Sequence, residues 1–295
     1  MHQKRFKKVA IFMGGLSSER EISLASGKAV ANGLKVAGYQ VLWIDLTTHD
    51  VEVPDDVDVA FIALHGAFGE DGSIQKILEK KKIHYTGSGP EASLQAFDKC
   101  LSKAVFVKHQ ISTPPYQILQ ADYPLNLALP VLIKPPLQGS SIGIEHVFKE
   151  EEWAPAFKRA LKYNQPLLVE RFIPGRELTV GIAGEQILPV LEIRAPKGNY
   201  NYHAKYSKGI TEYLVPAPLP HELSKTCQDL AMKAFKTLGC SGVGRVDFRM
   251  NEEGTLFVLE VNTIPGFTET SLLPKSALAA GIPFPDLCEK ILNAT

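Results

Sequence analysis

Two apolar segments near the end of the chain, residues 243–250 and 255–261, flank a polar turn at residues 251–254. Their β-branched and aromatic residues predict a β-hairpin. Each predicted strand nevertheless carries an acid, Asp247 on the first and Glu260 on the second. An unpaired carboxylate inside an apolar strand is costly, so these acids require a positively charged partner.

The acids of this hairpin share a face with further polar groups. Asn262 follows Glu260 by two residues and therefore points to the same side of its strand, and Arg245 has the same relationship to Asp247. Two carboxylates and an amide oxygen suit a hard divalent cation such as Mg²⁺. A plainer interpretation stays open, in which Arg245 and Asp247 form an ordinary ion pair and Glu260 caps a turn.

Composition sets the class of protein. The chain has 295 residues, of which 45% are hydrophobic and 22% charged, and its net charge is zero. Two or three globular domains are therefore expected. Because no bulk charge favours nucleic acid or a membrane surface, and no apolar run reaches the length of a membrane span, neither partner is expected.

Two further features indicate a cytoplasmic protein. The apolar run at residues 9–13 is too short for the core of a signal peptide, and we interpret it as a first strand. Cys100, Cys227, Cys240 and Cys288 lack metal-ligand spacing. We expect them to be reduced and structural.

The first ninety residues alternate strand and helix. Strands are predicted at residues 9–13, 40–45 and 57–64, and helices at 18–37, opened by a Ser18–Glu21 capping box, and 73–81. This pattern predicts a parallel sheet, whose ligands bind beyond the carboxyl ends of the strands. Gly14, Gly15 and Glu19 follow the first strand, and His65 follows the third.

The remaining chain reads as two α+β units. We predict one helix at residues 90–110, a short strand at 131–134, a helix at 150–163, and strands at 167–172 and 178–183. A strand at 186–193, a helix at 221–238 and the hairpin follow. The predicted domains are residues 1–97, 98–184 and 185–295.

A glycine- and serine-rich loop, residues 138–143, follows the strand that ends in Lys134. Successive backbone N–H groups in such loops form anion sites, and an ammonium ending a buried strand is expensive unless it meets an anion. The loop is not a Walker A motif, because no Gly-Lys-Ser/Thr follows its glycines. A plain turn remains the alternative interpretation.

Two more segments carry candidate binding groups. The exposed backbone of the strand containing Glu170 could read a purine edge, with Glu170 accepting from an exocyclic amine of the base and Glu177 from ribose hydroxyls. A half-exposed strand with a Glu170–Arg171 pair is the alternative. The loop at about residues 195–211 holds Tyr200, Tyr202, Lys205 and Tyr206. Loops of this size are often active-site lids, although these tyrosines could also be surface groups.

In combination, these motifs resemble the D-alanine–D-alanine ligases of the ATP-grasp superfamily over nearly the whole chain. The resemblance rests on Gly14-Gly15-x-Ser-x-Glu19, His65-Gly-x-x-Gly-Glu-Asp-Gly72, Asp98-Lys99, Lys134-Pro-x-x-x-Gly-Ser-Ser-x-Gly143, Glu177-Leu-Thr-Val, Ala204-Lys-Tyr206, Arg245-x-Asp247 and Glu260-Val-Asn-Thr-x-Pro-Gly266 with Ser271-Leu272.

The resemblance implies an α/β fold, with an N-terminal parallel-sheet domain followed by the two-lobed ATP-grasp fold. It implies ATP-dependent joining of two D-alanines through a D-alanyl phosphate, by a homodimer. The implied ATP-binding residues are Lys99, Lys134, Glu170, Arg171, Ile173, Glu177 and Lys205. The implied ligands of two Mg²⁺ or Mn²⁺ ions are Asp247, Glu260 and Asn262. The implied catalytic residues are Glu19, Ser140, Tyr206 and Arg245, and the implied substrate-binding residues are His65, Gly266, Ser271 and Leu272.

The resemblance further implies that Ser140 and Tyr206, hydrogen-bonded to Glu19, close a lid. Departures from the family pattern are few: Asn201 and His203 stand where the family usually has Asp and Glu, and Arg171 replaces a frequent lysine. Two other functions remain alternatives, another ATP-grasp carboxylate–amine ligase and a non-catalytic ATP-binding module.

Overall fold

The computed structural model of the chain describes residues 4–120, 124–163, 166–195 and 211–295. Three sheets organise these residues. The first contains β1 (Lys8–Gly14), β2 (Gln40–Leu46), β3 (Val59–Ile62) and β4 (His84–Tyr85), in the order β2-β1-β3-β4 with every pair parallel. The predicted parallel sheet is therefore confirmed.

Helices cover this first sheet. They are α1 (Arg20–Val36), α2 (Ser73–Lys80) and, from the end of the chain, two helices that we call α7 (Leu272–Ala279) and α8 (Phe284–Asn293). Because helices cover it, the central strand β1 is an uninterrupted apolar run, whose Val9, Ile11 and Phe12 are fully buried. Leu287 and Ile291 of α8 belong to the same core, so the last residues pack onto the first domain.

The start of α1 differs from its prediction. The residue before the helix is Glu19, and no side chain caps the first turn, so the Ser18–Glu21 capping box does not form. Instead, Ser17 Oγ accepts from Glu19 N at 3.2 Å and donates to His65 O at 2.6 Å. These bonds connect the ends of β1 and β3, which are neighbours in the sheet only through tertiary folding.

The second sheet contains β5 (Tyr116–Leu119), β6 (Val131–Lys134), β7 (Glu145–Val147) and β8 (Leu167–Arg171), all antiparallel in the order β5-β8-β6-β7. Helix α5 (Glu150–Ala160) packs its Ala156, Phe157 and Ala160 against this sheet.

The third sheet has the order β12-β11-β9-β13-β14 and is antiparallel. Its strands are β9 (Arg176–Ala183), β11 (Leu191–Arg194), β12 (Glu212–Leu214), β13 (Val243–Met250) and β14 (Leu256–Asn262). The short strand β10 (Gln186–Ile187) pairs with the last residues of β9. Helix α6 (His221–Thr237) buries Cys227, Ala231 and Ala234 against it, at the spacing of one helix face. The predicted hairpin is β13–β14.

Two predictions of elements were wrong in detail. The single helix at 90–110 is two helices, α3 (Pro90–Phe97) and α4 (Lys99–Lys108), because Asp98 is extended and its carboxylate accepts from the N–H groups of Cys100 and Leu101. The strand at 186–193 is interrupted between β10 and β11, where Leu188 N bonds to Gly181 O. The predicted strand at 178–183 is present as β9, and it pairs with β13 in the third sheet.

Cys100, Cys227, Cys240 and Cys288 are free thiols, and burial raises the pKa of the Cys227 thiol to about 12. Within the four described ranges, no helix is both long and apolar enough to cross a membrane.

Candidate active site

Two adjoining cavities lie where residues from all three sheets meet. Gly139, Ser140 and Glu260 line both of them. The first cavity is further lined by Lys99, Lys134, Glu170, Arg171, Ile173, Glu177 and Asp247. The second is further lined by Glu19, His65, Glu70, Arg245, Asn262, Gly266, Ser271 and Leu272. The structure thus brings together every predicted site residue that it describes.

The hairpin acids face each other where the cavities meet. Asp247 of β13 is paired in register with Glu260 of β14, and a bulge follows Asp247. Arg245 donates two hydrogen bonds to the Asp247 carboxylate, of 2.8 and 2.7 Å. Asn262 Nδ2 donates to the same carboxylate at 3.1 Å. The ion pair that the sequence left open is therefore present, and Glu260 forms an ion pair with Lys99.

These donors suit a divalent cation chemically. Directly opposed residues on antiparallel strands hold their side chains close together, so Asp247 and Glu260 can share one ion. Both are partly exposed to the cavities, and Asn262 adds an amide oxygen. Among the described residues, no three His, Cys, Asp or Glu side chains cluster as a metal site, which leaves the amide as the third donor.

Lys99 connects Glu260, on the hairpin face whose groups suit a divalent cation, to the glycine-rich loop. At the first position of α4, its Nζ lies 3.0 Å from Glu260 Oε2 and donates to Gln138 O at 2.9 Å. Burial alone would lower the pKa of Lys99, but Glu260, Glu70 and Glu170 together outweigh it, so the pKa is raised. The ammonium is therefore charged and faces the first cavity.

Lys134 has a different partner from the one expected. Its ammonium pairs with the buried carboxylate of Glu170, whose other oxygen lies 2.7 Å from Lys103 Nζ. The anion that compensates Lys134 here is thus Glu170, whose partners are Lys134 and Lys103 rather than the Arg171 of the alternative interpretation. Lys134 and Glu170 both line the first cavity, so this ion pair is open to a ligand.

The far end of the first cavity consists of the segment after β8. Arg249 holds this segment, because its Nε donates to Ile173 O at 3.0 Å and its Nη1 lies 3.4 Å from Glu177 Oε2. The Arg249 guanidinium also lies 5.6 Å from the centre of the Phe172 ring. These contacts fix the segment as one wall of the cavity. The wall presents backbone groups of the segment and the carboxylate of Glu177, at the start of β9.

The second cavity begins at a contact between the first two sheets. Ser140 Oγ donates to Glu19 Oε1, joining the glycine-rich loop to the start of α1. A Cβ atom at Gly139 would lie 2.9 Å from Glu19 Oε2, so a larger residue here would displace the Glu19 carboxylate from its present position. Ser140 itself has a φ of 51°, a strained value for a residue with a side chain. Strain of this kind is found where a structure fixes a functional group.

His65 is held as a neutral ring. Its Nδ1 lies 3.1 Å from Ile264 O, which can only accept, and its Nε2 lies 2.9 Å from Ser26 Oγ. Nδ1 is therefore the protonated nitrogen. Burial lowers the pKa of His65, although Glu19 raises it in part.

Glu70 stands beside this ring. Its Oε1 accepts from Gly66 N at 2.8 Å and lies 3.9 Å from His65 Nδ1. Burial, and then the negative charge of Glu19, raise the pKa of Glu70 to about 8. The second cavity therefore contains a carboxyl group that is mostly protonated at neutral pH.

The opposite wall of the second cavity is the start of α7. Ser271 precedes the first residue of this helix, Leu272, and its Oγ accepts from Thr268 N at 3.1 Å. A Cβ atom at Gly266 would lie 2.6 Å from Ser271 Oγ. The free N–H groups of a helix start favour an anion such as a carboxylate.

Two predicted site residues, Lys205 and Tyr206, lie outside the described residues, as do Tyr200, Asn201, Tyr202 and His203. Conversely, sequence reasoning missed Lys103 and Glu70 as members of the site. A signal existed for each. Lys103 follows Lys99 by four residues, which places both on one face of a helix. Glu70 lies in the segment after β3, at the carboxyl edge of a parallel sheet.

The chain is similar to known proteins over its length. Residues 47–88 match the family described as D-ala D-ala ligase N-terminus, and residues 101–293 match D-ala D-ala ligase C-terminus. A D-alanine–D-alanine ligase of Methylacidiphilum infernorum is 47% identical over 285 residues, which are 97% of this chain and 94% of that protein.

Solved structures agree with the sequence matches. The D-alanine–D-alanine ligase from Bacillus anthracis superposes with a TM-score of 0.88 at 34% identity, covering 98% of this chain and 97% of the other. A structure of that ligase complexed with ATP superposes with a TM-score of 0.86 at 31% identity, with the same coverage.

Proposed function

We propose, from the premise that this chain belongs to the D-alanine–D-alanine ligase family, that it joins two D-alanine molecules at the expense of ATP, which becomes ADP and phosphate. The observation that carries the proposal is the meeting of the two cavities at Ser140 and Glu260. A nucleotide in the first cavity would place its terminal phosphate beside amino acids in the second.

The chemistry requires activation, because a carboxylate is a poor acylating agent. An oxygen of the first D-alanine attacks the γ-phosphorus and ADP leaves, which gives D-alanyl phosphate. The neutral amine of the second D-alanine then attacks the carbonyl carbon, and phosphate departs with the C–O bond electrons. The amine must lose its extra proton before it attacks.

Lys99 and Lys134 are the cations that we assign to the phosphates, since both face the first cavity. Positive charge near the transferring group stabilises its transition state. Asp247, Glu260 and Asn262 would hold divalent cations, Mg²⁺ or Mn²⁺, and such ions neutralise developing charge on phosphate oxygens when bound. Glu170, Arg171, Ile173 and Glu177 line the part of the same cavity that we assign to adenosine.

In the second cavity we assign the amino acids to the remaining residues. Glu19 accepts from the ammonium of the first D-alanine, and the start of α7, with Ser271 and Leu272, receives the carboxylate of the second. Arg245 and the Gly266 N–H donate to the oxyanion that forms during amine attack. His65, which is neutral and fixed by Ser26, shapes the wall beside Glu19.

The lid is a further part of the proposal. Tyr206, together with Lys205, would close over the site and complete a hydrogen-bonded trio with Ser140 and Glu19. Exclusion of water is necessary because D-alanyl phosphate otherwise hydrolyses. One hydrogen bond of this trio, from Ser140 to Glu19, is already present in the structure.

The organisation and setting of the protein belong to the same proposal. We assign domains to residues 1–97, 98–184 and 185–295, a homodimeric state, and a cytoplasmic location in which ATP is available. The dipeptide product would supply peptidoglycan precursor synthesis. Light scattering coupled to size-exclusion chromatography tests the dimer, since a mass of one chain would contradict it.

The reaction is tested by phosphate release from ATP with D-alanine, L-alanine or no amino acid. We expect release only with D-alanine, in a one-to-one ratio with the dipeptide measured by chromatography. An Arg245→Ala variant purified in the same way controls for contaminating ATPases. Equal release with L-alanine would favour another carboxylate–amine ligase, and nucleotide binding without release would favour a non-catalytic module.

A further inference from the structure

Lys103 is a buried lysine next to the first cavity. It lies on α4 with 1% of its surface exposed. Its Nζ contacts Glu170 Oε2 at 2.7 Å and donates to Thr113 Oγ1 at 2.6 Å. Thr113 in turn donates to Val258 O at 2.8 Å, on the neighbouring sheet. The ammonium is therefore anchored on one side and points at Glu170 on the other.

Glu170 is shared between two lysines that differ in access. Lys134 and Glu170 line the first cavity, whereas Lys103 lies behind Glu170, away from the cavity surface. A phosphate entering the cavity can therefore attract Lys134 but does not reach Lys103. When Lys134 turns to the phosphates, Lys103 remains as the partner of the buried carboxylate.

We propose that Lys103 is a positioning residue for the nucleotide, which holds Glu170 as an ionised acceptor so that the cavity selects a base with an exocyclic amino group. The proposal rests on the nucleotide site of the proposed function. An ionised carboxylate only accepts hydrogen bonds, whereas a protonated one also donates. Glu170 held by Lys103 therefore accepts from the amino group of adenine and repels the carbonyl oxygen of hypoxanthine at the same ring position.

The electrostatics of the three groups support this exchange. Burial would raise the pKa of Glu170, but Lys103 and Lys134 together lower it. Burial lowers the pKa of Lys103, Glu170 raises it, and the like charge of Lys134 lowers it further. Movement of Lys134 toward phosphate removes that repulsion, so the Lys103–Glu170 pair becomes stronger when the nucleotide is bound.

A purely structural role for Lys103 makes a different prediction. Removal of one member of a buried ion pair destabilises a protein, and a general loosening of the cavity would weaken all nucleotides alike. Only the positioning role predicts that the preference between two bases changes. The decisive quantity is therefore a ratio of affinities rather than one affinity.

The experiment is calorimetric titration with ADP and with inosine diphosphate, which carries a carbonyl where ADP carries the amino group, both in Mg²⁺ buffer. The variants are Lys103→Met, Thr113→Val, which keeps the charge of Lys103 but removes its anchor, and Lys108→Met. Lys108 is an exposed lysine on the same helix and serves as the matched control.

We expect the parent and Lys108→Met to prefer ADP to the same extent. The preference should fall about ten-fold in Lys103→Met and about three-fold in Thr113→Val, as expected for a hydrogen bond to a charged group. Unchanged preference in a folded Lys103→Met would overturn the proposal. If circular dichroism shows that Lys103→Met does not fold, Thr113→Val decides alone, and an unchanged ratio there overturns it.

The proposed function fails separately. If the parent protein binds neither diphosphate, it has no nucleotide site, and both proposals are wrong. A parent that binds ADP without releasing phosphate in the presence of D-alanine fails only as a ligase, and the ratio for the variants still tests Lys103.

Discussion

The Ser140 hydroxyl donates a hydrogen bond to the Glu19 carboxylate across 121 residues of sequence. The bond ties the glycine-rich loop, which follows β6, to the residue before α1, so that one contact joins two sheets. It stands where both cavities meet, and Glu19 is buried. A small change at this bond should therefore affect the reaction more than the stability of the protein.

We expect Ser140→Ala to lower kcat/KM for D-alanine by about ten-fold, because a buried carboxylate loses one of its donors. Steady-state kinetics with varied D-alanine measures this effect. Ser18→Ala, at an exposed serine next to Glu19, is the matched control and should behave like the parent. Equal kinetics in the two variants would remove the Ser140–Glu19 bond from the site.

The Glu260→Gln substitution should reduce ligation at least 100-fold while the protein stays folded. It keeps the shape of the side chain but removes one metal-binding charge and the partner of Lys99. Dipeptide formation in Mg²⁺ and a thermal melt are the two measurements. Activity within a few-fold of the parent would show that Glu260 holds no essential metal.

Replacement of Lys134 by alanine should weaken an ATP analogue about ten-fold and leave D-alanine affinity nearly unchanged. The ammonium faces the first cavity, and its loss removes a point charge from the phosphates. Glu170 keeps Lys103 as a partner, so we expect the fold to survive. Calorimetric titration decides, and an unchanged nucleotide affinity would reduce Lys134 to a structural partner of Glu170.

The pH dependence of protein stability should show the effect of the raised pKa of Glu70. Its pKa is raised to about 8, so the folded protein binds this proton more tightly than the unfolded chain does. The stabilisation is present below pH ~4.5 and is lost as pH rises through 8. When the pH of a metal-free buffer is raised from 5 to 9, the melting temperature of Glu70→Gln should therefore fall less than that of the parent. Parallel losses in the two proteins would contradict the raised pKa.

The second substrate should be an amine. The family resemblance implies that members forming an ester with D-lactate lack the tyrosine that corresponds to Tyr206, which this chain has. D-alanine must lose a proton before it attacks, so its share of the product should rise with pH. We expect mainly D-alanyl-D-alanine at pH 7–8 when D-alanine and D-lactate are equimolar, measured by chromatography across pH 6–9. Predominant ester at neutral pH would contradict this substrate assignment but not the use of ATP.

The sequence determined the parts of this protein that depend on local pattern. Two β-rich apolar runs around a polar turn predicted the β13–β14 hairpin. The period of two along a strand placed Asn262 on the face of Glu260 and Arg245 on the face of Asp247. The alternation of strands and helices over the first ninety residues predicted the parallel sheet and its binding edge. Local signals failed where a single residue changes direction, as at Asp98, whose carboxylate ends one helix and starts the next.

Which charges meet depends on the folded arrangement of the sheets. Lys103, Lys134 and Glu170 come from different strands and a helix, and no spacing in the chain indicates that two lysines share one carboxylate. The same holds for Ser140 with Glu19 and for Lys99 with Glu260. The physical reason is that burial makes an unpaired charge costly, so partners are selected by the folded arrangement of the sheets, which local sequence does not contain.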